Sequence, residues 1–178
     1  MAVARRAAAE GANMAKRMNL GNAVPGALGA ALLLLASMGS ARAAPKAACE
    51  LLTLQQVGAA LGAPVRIDRS ASGADPNGGD NCVWASADGR NVMTRIIAVK
   101  DRNFVQFTFL SEISNAYSNG PKPESLAGVG DEARYRAYTG NLAGGVIVAR
   151  KGNVIFVFEG PVARARLSDL AKAVAAGL

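Results

Sequence analysis

The hydrophobic positions change their period along the chain, and each change marks an element. In CELLTLQQVGAALGAP (49–64), Leu54, Val57 and Leu61 recur at helical spacing. Thr53 stands where a helix would be capped, and Gln56 completes a capping box. Gly62, followed by Pro64, marks the stop. The period then falls to two. PVRIDR (64–69), CVWAS (82–86) and NVMTRIIAV (91–99) read as strands, the last two joined by a hairpin turn at Asp88–Gly89. SASGADPNGGDN (70–81) between them is loop by composition. Cys82 and Trp84 lie two apart and so share one strand face, where Trp84 can pack over Cys82.

Two periods compete in DRNFVQFTFLSEISNAYSNG (101–120). Val105, Phe109, Ile113 and Tyr117 repeat every fourth position behind a capping Asp101, which describes a helix. Val105, Phe107 and Phe109 also alternate, which describes a strand. The length and the polar second half favour the helix. GPKPES (120–125) breaks the chain. ARYRAY (133–138), LAGGVIVAR (142–150) and VIFVFE (154–159) then form a predicted three-strand meander. The last two are apolar on both faces, as strands covered on both sides are. ARLSDLAKAVAAGL (165–178) closes the chain as an amphipathic helix. The predicted order is α-βββ-α-βββ-α. It describes a single α+β domain, a mainly antiparallel sheet of about five to six strands packed by about three helices.

Composition changes the picture first at the amino terminus. Arg5, Arg6, Lys16 and Arg17 precede the apolar run ALGAALLLLASMG (27–39), and Ala41 and Ala43 offer a small-residue cleavage pattern. This reads as a cleaved secretory signal peptide over 1–43, with Met1, Met14 or Met18 as the start and 44–178 as the mature domain. The run is shorter than the ~20 residues that span a bilayer, so no stable membrane anchor is expected after cleavage. The charge of +7 falls as well: without the five basic residues and one acid of 1–43, 15 basic and 12 acidic residues leave +3. That balance gives no reason to expect nucleic-acid binding. The expected destination is periplasmic or extracellular.

Cys49 and Cys82 are the only cysteines, both in the exported part, and are expected to pair. A lipid-modified Cys49 would need a Leu-like residue at the position of Lys46. The chain has no histidine, which removes His-based triads, bases and metal ligands. Paired cysteines also remove a thiol nucleophile and a thiolate zinc site. No nucleophile elbow or P-loop is present. No catalysis, cofactor or metal is therefore expected.

Two short stretches imitate ligand motifs. Asp75, Asn77 and Asp80 suggest part of a calcium loop, but the twelfth position from Asp75 is Ser86, inside a predicted strand, rather than the glutamate required. GVGDEA (128–133) satisfies the letters of a dinucleotide fingerprint, yet a Pro-broken loop precedes it and a strand follows it, so the helix N-terminus that holds pyrophosphate is missing. Gly128 and Gly130 read instead as a sharp turn, with Asp131 and Glu132 expected to accept from local N–H groups or, as an alternative, to hold a cation. On the next strand Arg134, Arg136 and Tyr138 share a face that can meet a carboxylate, a phosphate or a ring. The rival reading is an edge strand protected by charge.

CELLT (49–53), CVW (82–84) and LAGVGDEA (126–133) together resemble a group of small secreted or lipid-anchored bacterial domains of unknown function. The resemblance implies a compact α+β fold and a Cys49–Cys82 disulfide, and it brings no activity. The expectation is an exported, soluble, non-catalytic binding or accessory protein of the bacterial envelope, with an unknown protein or envelope component as partner. The alternatives are a small apolar-ligand carrier with a pocket between sheet and helices, and an enzyme using carboxylates.

Overall fold

Thr53 begins the first helix as its sequence requires. Its hydroxyl accepts from the Gln56 amide, and the Gln56 side chain accepts from the Thr53 amide. Gly62 ends the helix at φ 74°, a left-handed conformation that suits glycine. The computed structural model describes residues 46–178 apart from Asn77, 118–120 and 141–142, so the leader reading over 1–43 lies outside the described residues.

In chain order the elements are α1 (Leu54–Leu61), β1 (Val65–Ile67), β2 (Gly73–Ala74), β3 (Asp80–Ser86), β4 (Asn91–Ala98), α2 (Val105–Ala116), β5 (Glu124–Ser125), β6 (Glu132–Ala137), β7 (Gly145–Lys151), β8 (Val154–Gly160) and α3 (Arg164–Gly177). Short 3-10 turns at Ala48–Glu50 and Arg102–Phe104 precede α1 and α2. Helix wins over strand in the ambiguous segment. Asp101 caps the 3-10 turn rather than α2, accepting from the Asn103 amide.

All strands join one antiparallel sheet in the order β1-β3-β4-β8-β7-β6-β5, with β2 also paired to β3. The hairpin β3–β4 and the meander β6–β7–β8 form as the turn residues predict. They are joined where β4 pairs β8, with Thr94 opposite Phe158. Among the described residues the sheet has eight strands, more than the five to six expected. The two extra strands, β2 and β5, are each two residues long and lie in stretches rich in turn-forming residues. Two residues carry no periodicity; the edges of β3 and β6 recruit them.

Alternation along the central strands places the layers. Ile147, Ala149, Phe156 and Phe158 enter the larger core with Trp84 and with Leu167, Leu170 and Val174 of α3. Val146, Val148, Ile155 and Val157, one residue out of step, meet Val105 and Phe109 of α2 on the other face. The α+β domain is thus three layers deep, with α1 and α3 below the sheet and α2 above it. The two-sided apolar character of β7 and β8 has this cause.

Candidate functional site

The Cys49–Cys82 disulfide is present, with the two Cα atoms 5.0 Å apart. It ties the first 3-10 turn, not α1 itself, to β3. Beside it the Ala48 amide donates to Asp80 Oδ2 at 2.5 Å. Asp80 of the calcium-like stretch is thus held by backbone, while Asp75 accepts from Asn81 Nδ2 at 2.8 Å and lies 3.8 Å from Arg95. Asn77 lies outside the described residues. The two acids are oriented toward amide and guanidinium donors rather than toward a shared cation.

GVGDEA forms the expected turn, with Gly128 at φ 76° and Gly130 at φ 59°. Asp131 acts differently from the local reading. Asp131 Oδ2 accepts from the Gly152 amide at 2.7 Å, and the Asp131 amide donates to the Arg150 carbonyl at 2.7 Å. The turn therefore docks on the β7–β8 connection. Sequence reasoning missed this because the partner lies 21 residues away. A Cβ on Gly130 would lie 2.4 Å from that same Arg150 carbonyl oxygen, so the close approach, as well as φ, demands glycine there. Glu132 pairs with Arg134 at 3.0 Å.

Arg134, Arg136 and Tyr138 do share a face of the sheet, the one carrying α2. Arg134 donates to Glu132 and to Ser125 Oγ on β5. Arg136 donates to the Ala116 carbonyl at 3.0 Å, at the carbonyl end of α2, where a cation complements the helix dipole. It also lies over the Tyr117 ring, 5.3 Å from its centre. The Tyr117 hydroxyl donates to the Arg134 carbonyl at 2.8 Å, and burial pushes its pKa up to about 12. Arg136 therefore holds α2 to β6, while Arg134 ties β6 to β5.

The same sheet face carries a polar cluster that the sequence did not single out. Arg95 on β4 makes an ion pair with Glu112 of α2, and both side chains are largely buried. Glu159 on β8 lies near it. Burial raises the Glu159 pKa above the usual 4.5, and Arg95 partly opposes that shift. Because the folded state favours the protonated acid, its contribution is greatest at low pH and is lost as pH rises above about 4.5. Glu159→Gln is accordingly expected to gain on the wild type in thermal stability as pH rises from about 4.5 toward neutrality. Melting curves across that range check this, and a pH-independent difference would refute it.

Cavities give two further candidates. A groove of about 370 Å³ runs between α1 and α3, lined by Ala59, Ala60, Leu170 and Ala173 with Arg166 and Asp169 at its sides. A second, of about 300 Å³, lies at the start of α2 and is lined by Arg102, Val105, Arg150, Gly152 and Asn153. Next to the latter, Phe104, Phe107 and Leu110 project outward with 58%, 71% and 53% of their surface exposed. Among the described residues no group of three acids, cysteines or histidines is placed to hold a metal, and no helix is long and apolar enough to cross a membrane.

No protein-family model matches the chain, and no curated protein matches it in sequence. The resemblance set out above rests on its three motifs alone.

Proposed function

We propose that the protein is an exported, non-catalytic binding or accessory protein of the bacterial envelope. The observation that supports this best is the Cys49–Cys82 disulfide, since such bonds persist in oxidising compartments and are rare in the cytosol. The leader pattern over 1–43 points the same way. The engaged roles of Asp75, Asp80, Asp131 and Glu132 leave the apparent ligand motifs with structural work to do. The carrier alternative draws no support from the space between the sheet and α1 and α3, which Trp84, Phe156, Phe158 and Leu167 fill as fully buried side chains.

The test is the intact mass of the protein recovered from the cell envelope or medium, before and after reduction. The expected result is a chain starting near Ala44 that gains two hydrogens on reduction. A chain retaining its leader and carrying two free thiols would overturn the reading. Capture of envelope components by this protein, repeated with Arg134→Ala/Arg136→Ala, tests the β6 face: unchanged capture removes that face as the partner site.

A further inference from the structure

We propose that the cavity between the start of α2 and the β7–β8 turn binds phosphate, free or as a monoester, through the guanidinium groups of Arg102 and Arg150. This gives the binding reading above a ligand chemistry, and it does not depend on where the chain resides.

The first observation is the chemistry of the walls. The cavity of about 300 Å³ is lined by Arg102, Val105, Arg150, Gly152 and Asn153. Both charged side chains in that set are cationic, and no acid belongs to it. Val105 is buried and supplies an apolar wall. Gly152 adds no side chain, and its amide is taken by Asp131 Oδ2 at 2.7 Å. Asn153 shapes the wall rather than offering its amide, since its Nδ2 donates to the Val99 carbonyl at 2.9 Å. The two guanidinium groups are the donors that a ligand would meet.

The second observation is how little holds Arg150. On the same side of the sheet Arg95 pairs with Glu112, Arg134 pairs with Glu132 at 3.0 Å, and Arg136 donates to the Ala116 carbonyl at 3.0 Å. The terminal nitrogens of Arg150 come no closer than 4.0 Å to Asp131 and Glu132, beyond hydrogen-bond reach. Its Nε is buried without a hydrogen-bond partner among the described residues. Each of the two acids has a nearer donor, the Gly152 amide for Asp131 and Arg134 for Glu132. With 27% of its side chain exposed, Arg150 can still be reached from the cavity. A partly buried guanidinium so weakly paired gains from an oxyanion more than a surface arginine does.

The cavity also keeps its shape without a ligand. Asp131 fixes the β7–β8 turn at the Gly152 amide. Val99 fixes it from the other side, its amide donating to the Asn153 carbonyl at 2.9 Å. Walls fixed beforehand lower the cost of binding. Charge favours an anion. Lys100, Arg102, Arg134 and Arg150 stand against Asp101, Asp131 and Glu132, which leaves one positive charge. The end of α2 adds little, because Asp101 already caps the turn before it. Phosphate suits the site better than a carboxylate does. Its oxygens point in several directions and can meet two guanidinium groups at once, whereas a carboxylate presents one edge.

The experiment is titration of the purified, disulfide-bonded protein with inorganic phosphate, glycerol 3-phosphate and acetate, followed by amide NMR shifts. The expected result is saturable phosphate binding with a Kd on the order of 1 mM or tighter. The shifts should centre on Arg102, Val105, Gly152 and Asn153. Arg150→Gln and Arg102→Gln should each weaken binding roughly tenfold. Arg66→Gln, on β1 at the far edge of the sheet, should leave it unchanged. Arg102 is exposed, so an unchanged melting curve for its variant keeps the test independent of folding. Tighter binding of glycerol 3-phosphate assigns the monoester and tighter binding of inorganic phosphate the free ion, and either order supports the proposal. No saturation by about 10 mM phosphate would overturn it. So would acetate binding as tightly as phosphate, shifts centred elsewhere, or affinity that both variants leave unchanged. The titrations read the purified protein, so their failure is distinct from failure of the mass test, which reads export.

Discussion

Trp84→Ala is expected to destabilise the protein by about 3–5 kcal/mol, the range for truncating a large buried aromatic side chain. Trp84 is fully buried on β3, between Ile67 of β1 and Val92 of β4. It belongs to the same core as Leu61 of α1, Leu167 of α3 and Cys82. Removing the indole opens a void bordered by strand and helix alike, and the disulfide keeps the strand from closing over it. Its Nε1 has no hydrogen-bond partner among the described residues, so the loss is packing and hydrophobic transfer rather than a broken hydrogen bond. Trp84→Phe should therefore recover much of the stability. Trp84 is the only tryptophan, so denaturant unfolding has to be followed by circular dichroism. A loss below about 1 kcal/mol for Trp84→Ala would show that this core does not depend on it.

The second large effect is that of the disulfide. Removing it as Cys49→Ser/Cys82→Ser is expected to cost about 3–4 kcal/mol, from the loop entropy of a crosslink whose cysteines lie 33 residues apart. For a domain of this size the melting temperature should fall on the order of 10 °C. The structural consequence is specific. The crosslink fixes the 3-10 turn that holds Ala48 against Asp80, so amide exchange at Ala48 should rise more than exchange in β7 or β8. Equal melting with and without reductant would refute the stabilising role.

Much of the fold was legible because its signals are local. The Thr53–Gln56 box and Gly62 bracket α1, since capping and the left-handed stop involve residues within one helical turn. The two-sided apolar runs of β7 and β8 announced a sheet covered on both faces. The strand count fell short because β2 and β5 are made by the edges that pair with them. The competing periods in 101–120 had a physical source: Phe107 alternates with Val105 and Phe109 because it faces outward from a helix, not because the segment is a strand.

The candidate site was less legible. The spacing of Arg134, Arg136 and Tyr138 shows that they share a face, but the partners Ser125, Ala116 and Tyr117 come from other elements. Nothing in the spacing of Arg95, Glu112 and Glu159 relates them; the β4–β8 pairing and the docking of α2 do. Arg150 and Arg102 likewise line one cavity only because α2 begins over the β7–β8 turn.

The sequence by itself determined the helices and the longer strands, their order, the α+β class and the two cysteines available to pair, because turns, caps and periodicity depend on neighbours along the chain. The tertiary structure alone decided which strands became neighbours at β4–β8, and which face of α2 stayed open. It also decided that Asp131 of GVGDEA holds the distant β7–β8 turn. Those outcomes depend on side chains far apart in sequence meeting across a shared core, where shape and burial, not local pattern, choose the partner.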